Sequence, residues 1–390
     1  MHDRHVVSRG RIQSAACHRT RTPLMNSFAH TPVMLTEVLA WFDLVPSGLL
    51  IDATCGGAGH AIALLADRSD QQLLGLDRDP LAVDTATQRL QTFGDRAQVR
   101  HARFDRLPDE IATLRSERRK TDVSLPVVGI LFDLGVSSAQ FDLVERGFSY
   151  RGDAPLDMRM DTTTGQTAAD IVNTAAMSEI RRIIRTYGDE RFADRIARSI
   201  VARRPIETTS HLAEIVTAAI PAATRRTGGH PAKRTFQALR IEVNDELRVL
   251  ERALDAALDA LAPGGRCVVL SYHSGEDRIV KDRFRFAETG GCTCPTGLPC
   301  VCGALPRGRM VRRGVTRPTS AEVSANPRAA SAVARVFERF GSATSRPATP
   351  LARVEVAGPN SSTRVVLDTL KPSTIHPSSP SLGPEREECQ

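Results

Sequence analysis

Short apolar runs alternate with amphipathic stretches over the first and last thirds of the chain. Leu49-Leu50-Ile51, Leu73-Leu74-Gly75-Leu76, Gln98-Val99-Arg100-His101, Val127 to Phe132 and Arg266 to Tyr272 read as strands. The fourth run is apolar throughout, as a parallel strand buried on both faces requires. Helices are expected where Val38, Leu39, Trp41 and Phe42, then Ile62, Leu64 and Leu65, then Leu81, Val83 and Leu90, recur on one face. A long helix carries Leu247, Leu250, Leu254, Leu258 and Leu261 and stops at Pro263-Gly264-Gly265. Ser274 with Asp277 makes a capping box for the helix after it, and two last strands fall near 309–313 and 332–338. Such alternation predicts a doubly wound α/β sheet whose ligands bind at the carboxyl ends of the strands. Between 141 and 233 the strand pattern disappears. Helical stretches near 167–174, 178–186, 189–204 and 208–220 predict an all-helical insertion in the sheet domain.

The stretch Ile51-Asp52-Ala53-Thr54-Cys55-Gly56-Gly57-Ala58-Gly59-His60 joins the first strand to the helix after it. Glycines there let backbone N–H groups approach a ligand closely, and the helix start offers unpaired N–H donors to an anionic group. Asp77, at the tip of the second strand, lies about 20 residues past the glycines, where a Rossmann-like fold holds a ribose hydroxyl pair. A nucleoside cofactor is the reading this spacing favours over a plain packing turn with Asp77 as a helix cap. The loop lacks the G-x-G-x-x-G order of dinucleotide binders, which argues against a nicotinamide-dependent oxidoreductase.

Composition sets the class. Hydrophobic residues make up 41% of the 390 and charged residues 25%, as in a globular protein of more than one domain. No apolar run approaches the roughly 18 residues of a membrane helix. The net charge of +7 favours a polyanionic partner, while aromatics at 4% argue against a flat base-stacking platform. The insertion holds Arg181, Arg182, Arg185, Arg191, Arg195, Arg198, Arg203, Arg204, Arg225 and Arg226, read either as solvated helix faces or as phosphate contacts. Residues 1–29 carry five arginines up to Arg21 without an apolar core segment, so they read as a disordered arm rather than a secretory signal, with Met1 and Met25 both open as the start. Residues 341–390 hold seven of the 23 prolines and read as a disordered tail. The expected division is 30–140 and 234–340 for the sheet domain and 141–233 for the helical insertion, in a cytoplasmic protein.

The resemblance to a known family is carried by His30-Thr31-Pro32-Val33-Met34-Leu35, Gly56 to His60, Asp133-Leu134-Gly135-Val136-Ser137-Ser138 with Gln140, Arg146-Gly147-Phe148-Ser149 and Pro155 to Asp161. Tyr187 to Ala193, His230-Pro231-Ala232 through Ile241, and Tyr272-His273-Ser274 with Glu276 to Lys281 extend it. From about 30 to 340 the chain resembles the RsmH (MraW) family of 16S ribosomal RNA cytosine N4-methyltransferases. The resemblance implies a class I methyltransferase sheet with an inserted helical domain, and methyl transfer from S-adenosylmethionine to the exocyclic amine of a cytidine in the decoding region of 16S rRNA in the small ribosomal subunit. A homodimer stays open. Matching motifs residue by residue, it implies cofactor contacts at Ala58, Gly59, His60, Asp77, Phe104, Asp133 and Gln140. Ala58 stands where the family usually has glycine. The rival reading is a ribosome-assembly factor that binds RNA through the insertion without catalysis.

Catalysis on such an amine rests on in-line positioning and on an acceptor for the charge the nitrogen develops. Asp133 and His273, at the ends of the fourth and fifth strands, are the catalytic candidates; Asp133 lacks the Pro-Pro-aromatic sequence that often follows such an acid, and the bland role of His273 is to fix a loop. Cys17, Cys55, Cys267 and Cys389 are isolated. Cys292, Cys294, Cys300 and Cys302 cluster in a Gly/Pro-rich loop over 290–303 and read either as a zinc site or as a reduced, redox-sensitive loop. C-x-C pairs are less usual than C-x-x-C, so no metal is the expectation there.

Overall fold

A computed structural model describes residues 32–118, 125–137, 140–141, 143–225, 229–295 and 301–341. The expected arm over 1–29, the tail beyond 341, and Cys17, Cys300 and Cys389 lie outside the described residues. Seven strands form one sheet in the order β3-β2-β1-β4-β5-β7-β6. They are β1 Gly48–Asp52, β2 Gln71–Asp77, β3 Ala97–His101, β4 Val127–Asp133, β5 Leu261–Ser271, β6 Gly308–Met310 and β7 Val333–Arg339. The first five pair in parallel, and β7 runs antiparallel between β5 and β6. All five residues of β1 and the first six of β4 are buried, which is why these segments lack the alternation of a half-exposed strand.

The sheet is covered on both faces. One core gathers α1 (Leu35–Asp43), α2 (Gly59–Asp67) and α3 (Pro80–Leu90) through Val38, Phe42, Leu64, Leu65, Ala86 and Leu90. The other gathers α4 (Leu107–Arg118), which the pattern reading did not identify, and two helices of the second half through Leu107, Ile111, Leu250, Leu254 and Phe284. A third core belongs to the insertion: α5 (Ala168–Thr174), α6 (Met177–Gly188), α7 (Ala193–Ala202), α8 (Thr209–Ala219) and the short α9 (Ala222–Arg225). Isoleucines 180, 183 and 184 on α6 and 196 and 200 on α7 recur at helical spacing and are buried. This core runs past position 233, because Phe236, Ala238 and Leu239 of α10 (Lys233–Asn244) pack into it.

Three details differ from the pattern. The expected long helix is α11 (Glu246–Ala260), and a further helix the pattern reading did not identify, α10, runs up to it, the two separated at Asp245 with φ 53. Leu261 opens β5 instead of closing the helix. The helix after β5, α12 (Ser274–Thr289), is capped by His273 with Glu276 rather than by Ser274 with Asp277, since the imidazole Nδ1 accepts from the N–H groups of both Gly275 and Glu276. A last helix, α13 (Ser320–Ala325), precedes β7. None of the described helices is long and apolar enough to cross a membrane.

Candidate active site

In this strand order the winding reverses between β1 and β4, so the helices after them diverge and leave a crevice at the carboxyl ends of those two strands. A cavity of about 480 Å³ occupies that place, within the range of small-molecule sites. Its floor is the loop after β1, its sides are the tips of β2, β4 and β5, and Phe148, Tyr150, Met160, Lys233 and Phe236 of the helical unit close it opposite.

Three carboxylates cluster around the floor: Asp77 and Asp133 line the cavity, and Asp52 is buried next to them, outside its lining. Asp52 is 2% exposed, and burial, with Asp133 and Asp77 nearby, raises its pKa to about 7 against one hydrogen bond from the Thr54 N–H. Asp77 accepts from the N–H of Gly56 at 2.7 Å and of Asp79 at 2.9 Å, yet burial still lifts it to about 6. Asp133 faces the crevice, and burial raises its pKa while the neighbouring His60 and the Tyr272 hydroxyl pull it back. Its backbone N–H donates to the Thr54 hydroxyl at 2.6 Å, tying the tip of β4 to the loop after β1. Clustered acids with raised pKa values make a site that favours a cationic ligand.

The helix start supplies the complementary end. Ala58, in left-handed conformation at φ 61, is the N-cap of α2, and no side chain caps that terminus. The amides of Gly59 and His60 therefore remain to bind an anionic group at the cavity wall. Ala58 itself is fully buried, does not line the cavity, and spends its N–H on the Cys55 carbonyl at 2.7 Å. A Cβ on Gly59 would stand 2.5 Å from Pro32 Cγ, so only glycine lets the 32–34 segment lie against the loop. The acceptor carboxylates of Asp77 and Asp133, the amides of Gly59 and His60 and the apolar Ala102, Phe104 and Leu134 fit S-adenosylmethionine: its hydroxyls and positive charge, its amino-acid carboxylate and its adenine.

Gly59, His60, Asp77, Phe104, Asp133, Gln140 and His273 all come to this cavity. Two of them carry structural duties there. Both polar ends of the Gln140 amide are engaged, the oxygen by the Ser137 N–H and the nitrogen by Asp79, which also accepts from Arg146 at 2.8 Å. His273 Nδ1 caps α12, which puts the ring proton on Nε2; that atom is 3.2 Å from a Glu276 oxygen but out of line for a hydrogen bond. Tyr272 was missed by the sequence reading. It directly follows β5, beside His273, and of the two it is Tyr272 that reaches the carboxylate at the tip of β4. Of the insertion arginines, Arg181 and Arg185 pair with Asp194, Arg182 with Glu179 and Glu242, and Arg204 binds the Val172 carbonyl; the basic groups at the cavity are instead Arg78, Arg89, Lys233, Arg240 and Arg328.

Comparison with known sequences points to one family. The sequence profile of the MraW methylase family matches residues 27–340. Ribosomal RNA small subunit methyltransferase H of Symbiobacterium thermophilum is 51% identical over 320 residues, covering 80% of this chain and 98% of the relative. The protein of that name from Thermobifida fusca is 52% identical over 318 residues, covering 80% and 93%. Among solved structures, an rRNA methylase from Streptococcus thermophilus aligns over 78% of this chain and 95% of its own, at 10% identity and a TM-score of 0.35.

Proposed function

This chain belongs to the MraW methylase family, and from that premise we propose that it methylates the exocyclic N4 amine of a cytidine in the decoding region of 16S rRNA. It is an S-adenosylmethionine-dependent methyltransferase. The observation that carries the finer reading is the position of Asp133: its carboxylate stands at the tip of β4, in the wall shared by the cofactor crevice and the mouth beneath the helical unit.

When bound, the cofactor supplies an electrophilic methyl group on a sulfonium. The chain's own residues do the rest. The α2 amides of Gly59 and His60 hold the carboxylate end, Asp77 accepts from the ribose hydroxyls, and Phe104 packs against the adenine. A cytosine amine is a weak nucleophile because its lone pair is delocalised into the ring, so alignment at near-attack distance is the main contribution. Asp133 accepts a hydrogen bond from that amine, stabilises the positive charge it develops, and takes the proton the product must lose. The Tyr272 hydroxyl at 2.7 Å and His60 Nδ1 at 3.7 Å hold this carboxylate in place and favour its ionised form. His273 acts through the cap it makes and is a positioning residue.

The base must leave its stack to reach Asp133. Phe148 and Tyr150 line the mouth, and the Tyr150 ring is stacked on His230 with centroids 4.3 Å apart, so the apolar surface that receives a planar base is already fixed. Nucleoside mass spectrometry of 16S rRNA from cells with and without this gene tests the proposal. N4-methylcytidine is expected only where the gene is present; an unchanged nucleoside profile overturns the substrate reading.

A further inference from the structure

Away from the crevice, a second group of ligating side chains converges between α12 and β6. The described residues of that long connection form neither helix nor strand, and its apolar side chains Val301 and Leu305 are 89% and 81% exposed. None of its described residues belongs to a hydrophobic core, and long connections without structure of their own are uncommon in compact domains unless they serve a function. Its two limbs are nonetheless drawn together. The Arg307 N–H donates to the Ala287 carbonyl at 2.9 Å, and Gly290, at φ +64, lies so near that an added Cβ would stand 2.5 Å from the Leu305 backbone.

Inside this pinched loop the sulfurs of Cys292, Cys294 and Cys302 all lie within 4.8 Å of one another. We propose that these three cysteines, as thiolates, bind one soft divalent cation of the zinc class. Sulfurs at about 2.3 Å from a tetrahedral zinc sit roughly 3.8 Å apart, so the observed spacing closes onto an ion by side-chain rotation. A disulfide joins only two sulfurs, at about 2.05 Å, and gives no reason for a third to converge on the pair. The ligands come from both limbs, Cys292 and Cys294 from one and Cys302 from the other, so the ion cross-links the loop where apolar packing cannot. One tetrahedral position remains for a fourth donor. The sequence alone favours the metal-free reading because C-x-C is an unusual ligand spacing; the convergence of three sulfurs outweighs that preference.

The test uses the full chain purified without chelator. Elemental analysis is expected to give about one zinc per chain, and cobalt added to chelator-stripped protein is expected to produce a thiolate-to-cobalt charge-transfer band that zinc abolishes. Both signals are expected to vanish in the C292S/C294S double variant, to weaken at least tenfold in C302S, and to persist in C267A, which alters a buried cysteine of β5. Should a serine variant fail to fold, the cobalt band in wild type and its reversal by zinc decide alone. Absence of zinc together with absence of the band overturns the proposal, as does a disulfide among these cysteines in protein alkylated at lysis, or equal metal content in wild type and C292S/C294S.

Discussion

The Tyr272 hydroxyl donates to Oδ1 of Asp133 at 2.7 Å, linking the end of β5 to the end of β4. Burial, with a smaller push from the Glu276 carboxylate, drives the Asp133 pKa upward, and this bond is one of the two contacts that oppose the rise. A carboxylate that must accept a proton from a developing ammonium needs both effects, enough desolvation to be basic and enough support to stay ionised before the reaction.

Tyr272→Phe removes the donor and leaves the ring. The Asp133 pKa is expected to rise further, moving the acid limb of the pH–rate profile to higher pH and lowering turnover at neutral pH by about tenfold, the worth of one hydrogen bond to a charged group. Labelled methyl transfer to small ribosomal subunits between pH 5 and 9 measures this. An unshifted acid limb means that Asp133 does not set it.

Burial raises the Asp77 pKa to about 6 against the hydrogen bonds from Asp79 and Gly56. Ribose hydroxyls are donors, and the ionised carboxylate accepts them better than the protonated one. Affinity for S-adenosylmethionine is therefore expected to weaken as pH falls from 7 to 5. Asp77→Asn is expected to bind about 10–100-fold more weakly at pH 7.5 and to lose most of this pH dependence. Calorimetric titration at three pH values checks both.

Asp52 contributes to stability with the opposite sign from a salt-bridged carboxylate. Its pKa in the folded protein, about 7, lies above its ordinary value of 3.8. The folded state therefore binds more protons than the unfolded state between about pH 4 and 7, and the stability attributable to this group falls as pH rises through that window. Asp52→Asn keeps an acceptor for the Thr54 N–H and removes the buried charge. It is expected to raise the melting temperature at pH 8, by about 2–4 kcal/mol of stability, and to change little at pH 4. Thermal melts of both proteins at these two pH values are the measurement.

His273→Ala is expected to cost about 1–2 kcal/mol, because the first turn of α12 loses the acceptor for the N–H groups of Gly275 and Glu276. Asparagine is a good N-cap, so His273→Asn is expected to restore both the melting temperature and turnover. Restored stability with turnover still lost would give the imidazole a chemical role beyond the cap.

Much of this site is legible in the linear chain. The glycine-rich loop, Asp77, Phe104 and Asp133 each follow a strand pattern strong enough to place them at a carboxyl end, and one fold rule then brings all strand ends to one edge. The resemblance to the family supplied what spacing does not, the identity of the donor and of the acceptor. Ala58 shows the limit of that transfer. Its place in the motif suggested a cofactor contact, whereas the backbone turns its methyl group into the core and its N–H to Cys55.

What the linear chain carried was the alternation of strands and helices and the absence of strand patterning between β4 and β5. These are local properties: periodicity, glycine and proline positions, and apolar run length act within a few residues of one another. Only the tertiary structure decided which neighbours the site residues meet. The Tyr272–Asp133 bond spans 139 positions, the capping of α12 by His273 depends on how β5 enters that helix, and the raised pKa values of Asp52 and Asp77 depend on their exclusion from water. Burial and long-range contact are set by how the elements pack, and no window of the chain contains that information.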